Sequence, residues 1–526
     1  MILSMNKLLH PVLTSLVLFT GLIVCVVPIL SGIFFFTFDQ ARDLIWVKNQ
    51  VDFFAPSLIG PPGSLEGVFF GPVWLWLLTL PFIIGNGSPI FTTLFNSFVV
   101  LSAGVLAVIL LWRQHKFTAC FLLILTFWSP AIHSLTGFAF AQHLLPILTV
   151  VLVYSYAQIL KSGDRKYFFS AVLAISIMFH AEPVVSVFSL VSLPMVLFFT
   201  PHKKNLLHIK TVLLAIIIFS LPFLPQIVFD LKHDFLQMKG LLAYLTGTNQ
   251  SLGDVLPFSQ RLIDRPVMLF TTYQLSIVRS SPFLAAIFLL LSFFVTRKLS
   301  IKPFFKALLQ ASGLYLLSLW IVFTLFSPQF KIFYLDGVVV IYLLWTAIIL
   351  GALWEKKKLR IFLSLILVVI GWHNLQPLRF YNSWKNGFVA EQKSGSIFKT
   401  QKAIVDLIYK DSSGDGFKVY TYSPAIYDYP YQYLFLHYGV SHYGYLPAEF
   451  SYLPNQPLYV QKKDLQLKRI TDKIKPAGQY LYLIVEPGQY SNRQENWLTN
   501  FPVDRYPRLW QHIFPDGTMV EKRGSK

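Results

Sequence analysis

The chain has 526 residues, 55% of them hydrophobic and 13% charged, with mean hydropathy +0.56. A soluble domain carries roughly 25% charged residues, so these proportions exclude an ordinary soluble protein and favour a polytopic membrane protein. The net charge of +19 does not signal nucleic acid, because the basic residues sit mostly in short loops between apolar runs, where they set topology. Cys25 and Cys120 lie inside apolar runs, and no CxxC or Cys/His cluster exists, which argues against a zinc ribbon or disulfide framework.

The first apolar run, 11–36, is too long for a signal-peptide core and lacks a small-x-small cleavage site, so it reads as a retained span. Further spans are predicted at 89–112, 117–136, 141–160, 167–181, 183–200, 209–229, 281–296, 304–326, 333–354 and 359–373. Basic clusters follow at every second loop, from Arg113/Lys116 to Lys356/Lys357/Lys358/Arg360. They alternate consistently only if the Gly-, Pro- and Trp-rich stretch 66–84 does not cross the membrane. That stretch is therefore predicted as a helix along the outer surface, with Trp74 and Trp76 at the interface.

The N-terminus is then cytoplasmic and everything after 374 is outside. Before residue 375 only Asp164 and Glu355 fall among the acids of cytoplasmic loops. Beyond 375, a helix near 396–410, a strand at 417–422, another at 480–487 and a short helix near 493–499 predict a small α/β domain. The expected fold is an α-helical polytopic membrane protein, residues 1–374, with about eleven transmembrane helices and outer juxtamembrane helices, followed by a C-terminal α/β extracytoplasmic domain, 375–526. The Tyr-rich stretch 420–445 reads either as packing aromatics or as a carbohydrate-facing surface.

Chemistry-bearing residues gather near the predicted outer face. Thr37-Phe38-Asp39-Gln40 has the spacing of a capping box. A helix starting there puts Asp39 in its first turn and Asp43 one turn later on the same face, with Arg42 between them. An acid near a helix N-terminus is favourable for structural reasons alone, but that does not require a second acid at i+4. Ionisable groups near the membrane also point to function. "FHAEP" (179–183) offers His180 and Glu182 as ligands for a metal, sugar or phosphate, or as a polar turn before Pro183. Lys232 and His233 of "FDLKHDF", then Arg261 and Arg265, and Lys331 and Tyr334 of "PQFKIFYLDG" suit a phosphate; interfacial anchoring by the cations is the alternative. Arg279 belongs to the same set.

One apolar span, an acid followed by an Asp-x-x-Arg-type helix, the "GPP…GP-W" loop within 55–78 and a surface aromatic helix together resemble the GT-C glycosyltransferases, which include protein mannosyltransferases and aminoarabinose transferases. "LPQIVFDLKHDF" (224–235) and "YDYPYQYLFLHYGVSHYGYLPAEF" (427–450) resemble segments of bacterial members. The resemblance implies a plasma-membrane enzyme that uses a polyprenyl-phosphate-linked sugar and a glycan, lipid or protein acceptor, with Asp39 as the essential acid and Asp43 as the close alternative. It leaves room for a divalent metal ion. The second outer loop, 133–146, departs from many relatives in carrying no acid. The implied reaction is an inverting transfer on the outer face; a transporter or flippase of lipid-linked sugars is the rival reading, though neither related halves nor midplane charges appear.

Overall fold

A computed structural model describes residue 15 and residues 18–524 apart from 64–65, 247–255, 279–280, 299–300, 327–329, 376–395, 426, 457 and 489–490. Arg279 and the start of the first predicted span lie outside the described residues. The chain divides into two compact units. The first comprises 1–25, 57–76 and 96–376; the second comprises 26–56, 77–95 and 377–526.

The first unit is helical. Among the described residues, four unbroken helices of the chain are long and apolar enough to cross a membrane: Pro89–Trp112, Ala141–Ser162, Ile209–Lys232 and Pro303–Leu325. Three bent pairs also qualify if each pair is one span, and shorter apolar helices occur at Leu18–Leu30, Val73–Ile84 and Pro183–Phe199. The run Ile209–Lys232 differs from the other three unbroken helices: only 6% of its apolar stretch is buried in protein. Its upper turns lean on helix Arg165–Ala181, where Ser176 donates to the Phe219 carbonyl at 2.6 Å and Phe179 meets Phe219 edge-on.

Two expectations need correction. The surface helix predicted over 66–84 begins only at Val73. The residues before it form a hairpin, in which Gly60 N–H donates to Phe70 O and Phe70 N–H to Pro61 O, because Gly67 and Pro72 suit turns better than helix. Trp74, expected at the interface, is buried, whereas Trp76 is partly exposed and donates to Ser57 O at 3.0 Å. A 20-residue helix, Phe258–Ile277, occupies a region where no helix was expected. Arg261, Asp264, Arg265 and Pro266 interrupt its apolar pattern.

The second unit carries a five-stranded sheet: β1 (Lys418–Tyr422), β2 (Glu449–Ser451), β3 (Tyr480–Val485), β4 (Arg508–Ile513) and β5 (Met519–Gly524), in the order β2-β1-β3-β5-β4. β1 lies parallel to β2 and β3, with Val419 opposite Phe450 and Tyr482; β5 runs antiparallel to β3 and β4. The period-two alternation sends Tyr420, Tyr422, Leu481, Leu483 and Val485 to one face, where they pack with Trp497 and Phe501. On the other face Tyr482 meets Phe417, which packs on Tyr409 of helix Phe398–Asp411.

Glu486 follows β3 and Ser423 follows β1, so parallel pairing brings them together: Ser423 Oγ donates to Glu486 Oε2 at 3.0 Å, and Gln401 Nε2 donates to Oε1 at 3.4 Å. Burial pushes the Glu486 carboxyl up to about 8 against those hydrogen bonds, with Asp516 adding to the rise. The native state therefore holds a proton that the unfolded chain releases near its ordinary value of 4.5. This contribution to stability is full below that value and is lost as pH rises through about 8. The melting temperature of the full chain in detergent should fall between pH 5 and 8.5, and Glu486→Gln should flatten that fall. An unchanged pH slope in the variant would show that Glu486 is ionised in the native state.

Candidate functional site

Helix Phe38–Asp52 opens at Thr37, whose hydroxyl accepts from Gln40 N–H at 3.5 Å, the outer limit for such a bond. The reciprocal half of the expected capping box does not form. Gln40 is buried and its Nε2 donates instead to Thr93 Oγ1 at 2.8 Å. Helical spacing then places Asp39, Arg42 and Asp43 side by side. Arg42 Nη1 pairs with Asp39 Oδ1 at 2.7 Å, while its Nη2 and Nε donate to Asp43 Oδ1 at 2.9 and 3.1 Å.

The two acids are not equivalent. The Asp43 side chain is 3% exposed and that of Asp39 26%. A buried carboxylate persists only with a charged, hydrogen-bonded partner, and Arg42 fills that role. Burial alone would lower the Arg42 value, but Asp43 and Asp39 outweigh it and hold the guanidinium above its usual range.

The rest of this unit fixes that helix. Asn49 Nδ2 donates to Gln461 O at 3.0 Å, Gln466 Nε2 donates to Asn49 Oδ1 at 2.5 Å, and Arg469 binds the Asp52 carbonyl. Phe36 meets Phe398 and Tyr433 edge-on. Tyr429 lies within the electrostatic reach of Arg42 and Asp39.

Beneath it runs a buried network. Asp428 accepts from Tyr459 OH and, at 3.0 Å, from Gln432 Nε2; Lys463 Nζ donates to Gln432 Oε1 at 2.7 Å and Phe450 O at 2.6 Å. Burial raises the Asp428 value and lowers that of Lys463 to about 8. Sequence reading did not single out Tyr429, Asp428, Gln432, Tyr459 or Lys463; the Tyr-rich run 420–445 was the only signal. Five of its nine tyrosines, Tyr420, Tyr422, Tyr431, Tyr433 and Tyr445, are buried packing residues, while Tyr427 is 45% exposed.

The other candidates belong to the first unit, and several converge. Arg265 is buried; its Nε donates to Phe323 O at 3.2 Å, its guanidinium lies 4.8 Å from the Phe330 ring centroid, and its Nη2 has no hydrogen-bond partner among the described residues. Arg261 Nη1 donates to Thr324 O and Leu325 O at 2.9 and 2.8 Å. Tyr334 packs edge-on against Phe330, and Lys331 is exposed beside it. Glu182 joins this group electrostatically through Lys331 and Tyr334. It is buried, N-caps helix Pro183–Phe199 and accepts from Gln142 Nε2 at 2.9 Å.

Three further candidates have other contacts. Lys232 is exposed in the last turn of helix Leu224–Lys232, a position favoured by the helix dipole. His233 stacks on Phe229 at 4.0 Å and hydrogen-bonds its carbonyl. His180 is fully buried against Phe223. Among the described residues, no group of three or more His, Cys, Asp or Glu is placed to hold a metal ion.

His180 also explains a glycine. A Cβ added at Gly71 would overlap the imidazole ring. Gly71→Ala should destabilise the protein by about 1–3 kcal/mol through overpacking. His180→Ala in the same chain should recover part of that loss, as measured by thermal melts of the single and double variants. Strictly additive losses would mean that the two positions do not touch.

No family model and no curated protein matches the chain. Solved structures do match. The fold is shared with solved structures, in keeping with the resemblance read from the sequence. Two crystal structures of ArnT from Cupriavidus metallidurans share it. The structure bound to undecaprenyl phosphate aligns with TM-score 0.54 at 10% identity, covering 97% of each chain. The apo structure aligns with TM-score 0.53 at the same identity and coverage. This likeness, with the apolar helices, makes the chain a polytopic membrane protein.

Proposed function

We propose that the protein is a membrane glycosyltransferase that moves a sugar from a polyprenyl-phosphate donor to an acceptor hydroxyl at the outer face of the membrane, with inversion at the anomeric carbon. One observation carries the roles: Arg42 neutralises a buried acid, Asp43, and pairs with a more open one, Asp39. The donor class is supported by the shared fold, since ArnT was solved with undecaprenyl phosphate.

In this reading Asp39 takes the proton of the acceptor hydroxyl. The acceptor oxygen bonds to C1 of the sugar as the C1–O bond to phosphate breaks, and polyprenyl phosphate leaves with the electron pair. Proton transfer of this kind typically contributes about 10²–10⁴-fold. Asp43 does not exchange a proton; it fixes the Arg42 fork and thereby Asp39. Arg265, with a donor left over in a buried site, binds the phosphate with Arg261, Lys331 and the Tyr334 hydroxyl. Glu182 orients that group. No step is routed through a metal. His180, Lys232 and His233 take no part in the chemistry.

The two acids have separable tests in purified protein supplied with radiolabelled polyprenyl-phosphate sugars and a panel of acceptors. Asp39→Asn should lower turnover by roughly 10²-fold or more with a smaller loss of melting temperature than Asp43→Asn, because Arg42 keeps its two bonds to the more buried Asp43. Asp43→Asn should instead cost more, up to about 3–5 kcal/mol of stability, since it leaves the Arg42 charge with only the more exposed Asp39 as a charged partner. A folded Asp39→Asn protein with near-normal transfer would overturn the assignment. Arg265→Gln should raise the donor KM more than it lowers kcat; the reverse pattern would remove Arg265 from phosphate binding.

A further inference from the structure

One end of the sheet in the second unit gathers a cluster of buried oxygens. Ser423 and Glu486 follow β1 and β3, and Ser423 Oγ donates to Glu486 Oε2 at 3.0 Å. Gln401, on helix Phe398–Asp411, donates to Glu486 Oε1. The antiparallel register pairs Val485 with Met519, so Glu486 and Thr518 are next in line, on the face opposite Val485. Thr518 N–H in turn donates to Asp516 Oδ1 at 2.9 Å. Tyr431, from helix Tyr429–Tyr433, completes the set. Burial raises its hydroxyl value, and Glu486 and then Asp516 raise it further, so the hydroxyl faces both carboxylates.

None of Ser423, Tyr431, Glu486, Asp516 and Thr518 is more than 7% exposed. Yet Asp516 Oδ2, Thr518 Oγ1 and the Tyr431 hydroxyl have no hydrogen-bond partner among the described residues. Buried polar atoms are normally paired, and those that the protein leaves over are satisfied by an ion or by ordered water. The charges choose between the two. Neither Glu486 nor Asp516 has a Lys or Arg partner among the described residues. Two neighbouring buried carboxylates repel. Water cannot neutralise them, but one divalent cation balances both.

The chemistry of the donors selects that cation. All the groups left over are oxygens, which suits a hard ion rather than zinc or copper. Mg²⁺ keeps several waters and demands a near-ideal octahedral shell. Ca²⁺ accepts carboxylate and other neutral oxygens in irregular geometry, which fits donors drawn from a strand end and a turn.

We propose that Glu486, Asp516 and Thr518 bind one Ca²⁺ at this end of the sheet, with the Tyr431 and Ser423 hydroxyls held against the two carboxylates. The proton that Glu486 holds in the cation-free chain leaves as Ca²⁺ enters. The ion ties β3 to the turn that precedes β5. It is structural and takes no part in the proposed sugar transfer.

The test uses full-length protein in a non-ionic detergent, stripped with EDTA and titrated with CaCl₂ in mildly alkaline buffer, with calorimetry and thermal melting as readouts. One Ca²⁺ should bind per chain, with Kd in the range of about 10⁻⁴–10⁻³ M that extracellular modules show. The melting temperature should rise with Ca²⁺ concentration, and MgCl₂ at the same concentration should raise it much less. Thr518→Val removes one donor oxygen at nearly constant volume and should weaken Ca²⁺ binding by about 10-fold or more. Asp516→Asn should abolish it. Thr518→Val keeps shape and charge, so this arm stands even if Asp516→Asn fails to fold. A wild-type protein whose melting temperature ignores Ca²⁺ would mean that ordered water satisfies these oxygens and would overturn the proposal, as would wild-type Ca²⁺ affinity in either variant.

Discussion

The interaction on which the candidate site depends is the triple engagement of Arg42. A carboxylate as buried as that of Asp43 cannot stay ionised without a partner, and a guanidinium in that setting cannot stay charged without acids. Each makes the other tolerable. The third nitrogen of the fork then reaches Asp39, which stays open to its surroundings. Two acids one helical turn apart thus differ in how far they are withdrawn from solvent, Asp43 nearly completely and Asp39 only in part.

The same unit explains why that helix face is held so firmly. Its far end is gripped by hydrogen bonds to Asn49 and Asp52, and its near end by aromatic packing on Phe36. The buried chain Lys463–Gln432–Asp428–Tyr459 underlies Tyr429 with a direct bond at each step. Such a network is favourable only when every member is satisfied. It is a rigid support with little tolerance for deletion.

Much of this was legible in sequence. The start of helix Phe38–Asp52 followed from Thr37, and the clustering of Asp39, Arg42 and Asp43 followed from helical spacing. Strands β1 and β3 fell within two residues of their expected positions because each is a short run rich in β-branched and aromatic residues. What escaped was of two kinds. Helix Phe258–Ile277 carries its own charges and a proline, so hydropathy did not reveal it. Tyr429, Gln432 and Lys463 take their meaning from side chains brought close by folding, and nothing local marks them. Gln40 illustrates the limit of a local rule: the capping-box spacing was present, but Thr93 offered its amide a better partner.

The sparse packing of Ile209–Lys232 has a consequence for the bilayer itself. At 1.5 Å per residue the apolar part of this run, 209–229, measures about 31 Å, close to a hydrocarbon core of about 30 Å, before Asp230 and Lys232 follow. With so little of it buried in protein, few contacts fix its angle. Its tilt is therefore free to follow the local thickness of the lipid. Membrane thickness is thus a mechanical input to this helix, and through Ser176 and Phe179 to helix Arg165–Ala181, which ends one residue before Glu182.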